Sequence, residues 1–373
     1  MSGRQPSNLR NSMLNILEYR KAALAKLSLP LADYIERKAG FGKTFEANLE
    51  SYSRYKLIPR VLQKIEEVDT SVTILGAKMN APIIIAPTPW HKMFCDNGEK
   101  DTFDATSSVG IPFIVSSFST CDFAEIGSSL SNVWYQLLVY RDKELMKKYI
   151  VKAEESGCSA IVLTIDAPLG CSMCKQVSSG TDRLEFPIHN LPLFPHDPAV
   201  PYETLDEYYK KYINSSASWE DIKEIISFTR LPIILKGILH PVDVEQAIRF
   251  GAKGIIISNH GGRQLDGAIS SLEALSLLSN DFKNTIDIYM DGGILSGIDI
   301  FKAIALGAKA VLIGRAALYG LIVGGQYGLV SLLNLLDREL KECMHMTGCA
   351  DIKSITRDLL HPHNGASRVL DAA

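Results

Sequence analysis

His260 and Arg263 stand three residues apart in the stretch Gly254-Ile-Ile-Ile-Ser-Asn-His-Gly-Gly-Arg-Gln-Leu-Asp266. An imidazole beside a fixed guanidinium can accept a proton while the cation holds an anion. Taken alone, a loop His is an ordinary surface residue. This one follows Ile255–Ile257, an apolar run that reads as a buried strand ending at Ser258. In parallel α/β proteins the loops beyond the carboxyl ends of strands carry the active site. Two other places have chemistry in their pattern. Asp291-Gly292-Gly293 and Gly314-Arg315 each end an apolar run. Backbone N–H groups, a helix N-terminus and an Arg fork at such ends suit a phosphate, although glycines there also serve as plain tight turns. Cys171-x-x-Cys174 lacks a second pair and a thioredoxin-like context, so it reads as packing, and no metal site is expected.

The elements that must position these groups are legible as alternation. From residue 81 onward, eight apolar runs (Pro82–Ala86, Phe113–Ser116, Val133–Leu138, Ala160–Ile165, Ile233–Leu235, Gly254–Ile257, Asp287–Met290 and Ala310–Ile313) are separated by helical patterns. That is the strand count of a (β/α)8 TIM barrel. Pattern alone also permits a doubly wound sheet. Gly251-Ala-Lys-Gly-Ile-Ile-Ile257 recurs as Gly307-Ala-Lys-Ala-Val-Leu-Ile313, a helix-ending glycine, a turn and a strand. Residues 1–80 read as an N-terminal helical cap and lead-in, and 81–373 as the barrel. Within the cap, 6–27 reads as an amphipathic helix with Leu14, Leu17, Ala22 and Leu24 on one side, and Pro30 opens a second helix that ends at Gly40. Ser71–Leu75 is strand-like. The long connection after the fourth strand, 167–231, carries five prolines within 187–201 and reads as a lid or loop at the active-site face.

Composition excludes several classes of function. The chain has 373 residues, 46% hydrophobic, with a net charge of −3, which points away from nucleic acid and anionic membranes. Met1–Arg10 has no apolar core of a signal peptide, and seven cysteines in a long chain suit a reducing cytoplasm. Ala316–Leu336 carries no charge and is long enough to span a bilayer, yet holds four glycines, a Gln, a Ser and an Asn. It reads as a barrel helix buried by subunit contact.

Ser258-Asn-His-Gly-Gly-Arg-Gln264 resembles the active-site signature of the FMN-dependent α-hydroxy-acid oxidases and dehydrogenases, the glycolate oxidase and lactate oxidase family. Ala81-Pro-Ile-Ile-Ile-Ala-Pro-Thr88, Gln136, Leu163-Thr-Ile-Asp166, Leu235-Lys-Gly237, Asp291-Gly-Gly293 and Ile313-Gly-Arg315 match in the same order, so the likeness runs from about Leu29 to about Ser354. The resemblance implies FMN as cofactor and a homotetramer. It implies His260 as general base, oriented by Asp166, and Arg263 on the substrate's anionic group. Lys236 would stabilise negative charge on the flavin N1–C2=O locus. Gln136 and Thr164 would bond the pyrimidine edge, with Pro87, Thr88, Pro89, Ser116 and Ser258 as further contacts. Asp291, Gly292, Gly293, Gly314 and Arg315 would serve the phosphate end. Pro89 can donate no backbone N–H there, and Leu295 and Ser296 stand where the family has a second basic residue.

The substrate clamp departs from the family. Leu138 replaces a tyrosine, Glu36 falls at another tyrosine's place with Tyr34 as a nearby stand-in, and Ser172 or Met173 takes the place of an arginine. Phe118 matches an aromatic over the substrate. The resulting expectation is an FMN-dependent oxidoreductase acting on an atypical α-hydroxy acid. Oxidation of an amine or a modified peptide-derived metabolite is the alternative, and an FMN-binding protein without turnover, or a non-redox phosphate-binding barrel, is a reading from a different class.

Overall fold

The computed structural model describes residues 13–169 and 205–362. The Cys171–Cys174 loop with Ser172 and Met173, and the proline-rich 187–201 stretch, lie outside the described residues.

Eight parallel strands close into a barrel: β1 (Ile83–Ile85), β2 (Phe113–Val115), β3 (Val133–Leu138), β4 (Ala160–Thr164), β5 (Ile233–Ile238), β6 (Gly254–Ile257), β7 (Asp287–Asp291) and β8 (Ala310–Ile313). Each pairs with its neighbour in sequence, and β8 returns to β1 through Val311–Ile83, Leu312–Ile84 and Ile313–Ile85. The fold is therefore a (β/α)8 barrel. Its strands are rich in Ile, Val and Leu because both faces are buried. Alternation assigns the faces. Ile84, Ile114, Trp134, Val162, Ile234, Ile256, Tyr289 and Leu312 form an inner cluster, and Trp134 meets Tyr289 edge-on at 5.7 Å. The hairpin Val72–Ile74 with Ala77–Met79 joins that cluster through Ile74 and Met79, plugging one end of the barrel. The other strand positions pack outward against the helices.

The cap is α1 (Ile16–Lys26), α2 (Leu29–Glu36) and α3 (Lys43–Glu50). α1 buries Ile16, Tyr19 and Ala23 against the Arg315–Thr347 helix. Leu14 and Leu17, expected on the inner side, are 71% and 57% exposed. The amphipathic Tyr19 takes the inward place instead. α2 ends at Glu36, four residues before Gly40. The side chains of Arg263 and Arg315 donate to the carbonyls of Tyr34, Ile35 and Arg37, satisfying the acceptors that a helix end leaves open and so stopping it there.

The uncharged Ala316–Leu336 stretch lies in the Arg315–Thr347 helix, which bends at Gly324 and Gly325. It was expected to need a partner subunit. Instead Ala316–Val323, Leu329, Leu332, Leu333, Leu335 and Leu336 are buried by the chain itself. Tyr55–Leu57 pairs antiparallel with Leu360–Pro362, so the lead-in is stitched to the last described residues.

Candidate active site

The period of two along a strand builds the site. Two residues beyond the inner layer, on the same face, stand Ala86, Ser116, Gln136, Thr164, Lys236, Ser258, Asp291 and Gly314. Apolar side chains thus fill the barrel, and mostly polar ones cover it at the carboxyl ends of the strands. Gln136 accepts from Ser116 Oγ at 3.3 Å and from the Ser117 N–H at 3.2 Å, and donates to Thr164 Oγ1 at 3.1 Å. Leu138 follows on the same face of β3 and is buried.

Lys236 is buried, 3.3 Å from Asp291 Oδ2, and donates to Ser258 Oγ at 2.9 Å. Burial alone would lower its pKa, but Asp291 and Asp166 outweigh it and hold the ammonium above its ordinary value. Ser258 Oγ also accepts from the His260 N–H at 3.0 Å, so one hydroxyl ties the buried cation to the candidate base.

His260 Nδ1 lies 3.0 Å from Asp166 Oδ1. Burial works against the Asp166 carboxylate, yet His260 and Lys236 hold it below the usual range, so it stays ionised. An ionised carboxylate there accepts the Nδ1 proton and leaves Nε2 as the acceptor facing outward. The approach needs Gly237, since a Cβ at that position (φ +114°) would fall 2.3 Å from Asp166 Cβ. His260 itself has φ +59°, a left-handed conformation costing a non-glycine residue roughly 1–2 kcal/mol. The cap holds it there. Asn48 of α3 and Asn259 exchange two amide hydrogen bonds of 2.8 Å, Asn259 accepts from the Gly262 N–H, and Gly262 (φ +71°) packs so tightly on Phe45 that a Cβ would lie 2.7 Å from its nitrogen.

A group of aromatic rings lines the mouth. Tyr34 meets Trp90 at 5.6 Å and Phe94 at 6.3 Å, Trp90 meets Phe118 at 5.9 Å, and Phe118 meets Tyr208 at 5.3 Å. Tyr208 hydrogen-bonds Tyr140 at 2.9 Å. Burial, and then Tyr140, Asp166 and Tyr34, push the Tyr209 hydroxyl up. Trp90, Tyr140, Tyr208, Tyr209, Asn48 and Asn259 were not singled out from sequence. The one advance signal was the Tyr-rich run Tyr208-Tyr209-Lys-Lys-Tyr212 within the long connection.

Several expected residues have unexpected partners. Glu36 does not join the aromatic mouth. Its Oε2 takes Arg20 at 2.5 Å and its Oε1 takes Tyr319 at 2.6 Å, so both oxygens hold α2 to α1 and to the Arg315–Thr347 helix. Arg263 Nη1 donates to the carbonyls of Tyr34 and Ile35 at 3.0 and 3.2 Å, with its guanidinium 5.1 Å from the Tyr34 ring centre. Arg315 donates to Ile35, Gly261 and Arg37 carbonyls at 3.0, 2.9 and 2.9 Å, which leaves two of its five N–H groups. Burial, then Arg263, push Arg315 down to about 10, so it is still charged at neutral pH. Gly292 and Gly293 lie against Asn48. Pro87, Thr88 and Pro89 are half-buried beyond β1, with Thr88 Oγ1 2.7 Å from Nε2 of the buried His91.

The arrangement fits a flavin mononucleotide. The long helix after β8 begins at Gly314 with no side-chain cap, leaving N–H groups for a phosphate. Asp291 Oδ1 is buried without a partner, an acceptor suited to a sugar-alcohol hydroxyl. The buried Gln136–Thr164 pair and Lys236 offer amide, hydroxyl and ammonium groups to a polar heterocycle.

A (β/α)8 barrel with a carboxylate-held imidazole over a buried lysine defines the class: a flavin-dependent oxidoreductase. Residues 23–362 match the family model described as FMN-dependent dehydrogenase. The chain is 37% identical over 351 residues to human 2-hydroxyacid oxidase 2, covering 94% of this chain and 98% of that protein. It is 36% identical over 365 residues to the L-lactate oxidase of Nostoc sp., covering 94% and 99%. A crystal structure of mandelate oxidase superposes with a TM-score of 0.86 at 31% identity, covering 94% of this chain and 98% of that one. The chain belongs to the FMN-dependent α-hydroxy-acid oxidase and dehydrogenase family, and FMN is its cofactor.

Proposed function

We propose that this enzyme oxidises a 2-hydroxy acid whose side chain is aromatic or comparably bulky. The observation that carries this reading is the aromatic mouth of Tyr34, Trp90, Phe94, Phe118 and Tyr208, with Leu138 presenting hydrocarbon below it. Such a lining favours a large apolar group through burial and ring stacking. Bound FMN would supply the acceptor for two electrons and one of the two hydrogens that the substrate loses. His260 Nε2 takes the other hydrogen as a proton as the 2-oxo acid forms, and Asp166 stabilises the imidazolium. Gln136, Thr164, Ser116 and Lys236 would hold the flavin ring, and the helix start at Gly314–Arg315 its phosphate. The neighbouring Arg263 and Arg315 charges disfavour a cationic amine in this mouth.

The test is anaerobic bleaching of the flavin absorbance. Mandelate-like acids should reduce the flavin faster, at lower concentration, than glycolate or L-lactate. His260→Ala should slow reduction by roughly 10²–10⁴-fold while FMN stays bound. Glycolate or lactate reducing the enzyme at least as well as the aryl acids would overturn the reading. We also propose a homo-oligomer working in the cytoplasm, supported by the reduced thiols of Cys95, Cys158, Cys343 and Cys349 and by exposed Leu14, Leu17, Leu29 and Phe41 on the cap.

A further inference from the structure

The mouth contains a guanidinium that the reading above does not use. Arg37 follows α2 directly, in extended conformation (φ −52°, ψ 135°), and its carbonyl is fixed by Arg315 at 2.9 Å. Its side chain turns back so that the guanidinium carbon lies 5.9 Å from the centre of the Tyr34 ring, over which Arg263 also lies at 5.1 Å. Two like charges therefore share one tyrosine. Burial, and then Arg37, push Arg263 below its ordinary pKa. No carboxylate of the described residues pairs with Arg37, because the neighbouring Glu36 is committed through both oxygens to Arg20 and Tyr319. Arg37 Nε is buried with no hydrogen-bond partner. A buried, unanswered donor on a cation is costly unless something else supplies the acceptor.

We propose that Arg37 binds the substrate's carboxylate, together with Arg263, over the face of Tyr34. This rests on the 2-hydroxy-acid reading and names the residue that sets its anion specificity. The clamp that departs from the family at Leu138, Glu36 and the fourth loop is rebuilt from the cap. The end of α2 supplies the second guanidinium, and Glu36 is the anchor that aims it. A carboxylate fits the geometry because it offers acceptors to two donors at once, relieving both the orphaned Nε and the repulsion between the arginines. The phosphate of FMN is the other anion within the chemistry of such a pair, and the experiment separates the two.

Arg37→Gln and Arg37→Lys are prepared as holoenzymes. The dissociation constant for benzoylformate, an anion with no α-hydrogen to lose, is read from the flavin difference spectrum. KM and kcat are measured for mandelate and for its uncharged amide. FMN affinity is read from fluorescence on dilution. Arg37→Gln should raise the benzoylformate dissociation constant and the mandelate KM by about 10–100-fold, leave the amide within about 3-fold and leave FMN affinity unchanged, with Arg37→Lys in between. Equal effects on acid and amide, or unchanged benzoylformate binding, would overturn the proposal. Loss of FMN affinity with intact acid binding would also overturn it, assigning Arg37 to the phosphate. If mandelate fails to reduce the wild type while benzoylformate still binds in an Arg37-dependent manner, the proposed function falls and the anion site stands.

Discussion

The His260–Asp166 pair concentrates the chemistry into one hydrogen bond of 3.0 Å, and its isosteric break is informative. Asp166→Asn keeps the shape but removes the charge that selects the Nδ1–H tautomer, and its amide N–H can face His260 instead. We predict that flavin reduction slows by about 10²–10⁴-fold, while FMN content and the visible spectrum of the oxidised enzyme stay as in the wild type. A variant that reduces at the wild-type rate would show that His260 is oriented by Ser258 and the cap alone. Much of this was legible in the sequence, because every barrel strand carries an apolar inward residue followed two places later by a position facing the site. Gln136, Thr164, Lys236, Ser258 and Asp291 are legible through the resemblance to the family, and the structure sets each at such a position. Trp90, Tyr208, Tyr209 and Arg37 are not, since no strand fixes them. They reach the mouth through loops and the cap, by contacts between residues far apart in the chain.

The same distinction holds for whole elements. Strand positions were legible because both faces are apolar. The inward face of α1 was not, because Tyr19 buries its ring where leucines were expected, and the end of α2 was set by arginines more than two hundred residues away. What α2 requires is the Glu36 anchor. Burial opposes its charge, but Arg20 and Tyr319 hold the carboxyl below its ordinary value of 4.5. A carboxyl lowered by folding stabilises the folded state above its unfolded pKa, and that contribution is lost as pH falls through the lower folded value. Arg20 is 45% exposed, so water screens the pair and the contribution is about 1 kcal/mol. Glu36→Gln should therefore lower Tm at pH 7, with the difference from wild type shrinking steadily below the ordinary carboxylate pKa. A difference that persists undiminished in strong acid would mean that the anchor acts by packing.

At the scale of the molecule, the chain itself buries most apolar residues of the Arg315–Thr347 helix, so the proposed assembly is expected to use other surfaces. The exposed cap residues Leu14, just before α1, Leu17 on α1, Leu29 and Phe41 are the apolar candidates. Sedimentation should show a multiple of the chain mass, and Leu14→Glu with Leu17→Glu should shift it towards the single chain. A wild-type protein sedimenting as one chain at micromolar concentration would reject assembly altogether. The barrel count was visible in the alternation of apolar runs, whereas the pairing of Tyr55–Leu57 with Leu360–Pro362 was not, since short antiparallel edges carry little pattern. The closure of β8 onto β1 has a consequence during synthesis. β1 ends at residue 85 and β8 begins at residue 310. At roughly 5–20 residues per second, the Ile83–Ile85 edge leaves the ribosome on the order of 10–45 s before its last partner exists. Through that interval the nascent chain carries a wholly apolar edge without its final partner, the kind of transiently exposed strand edge that chaperones shield.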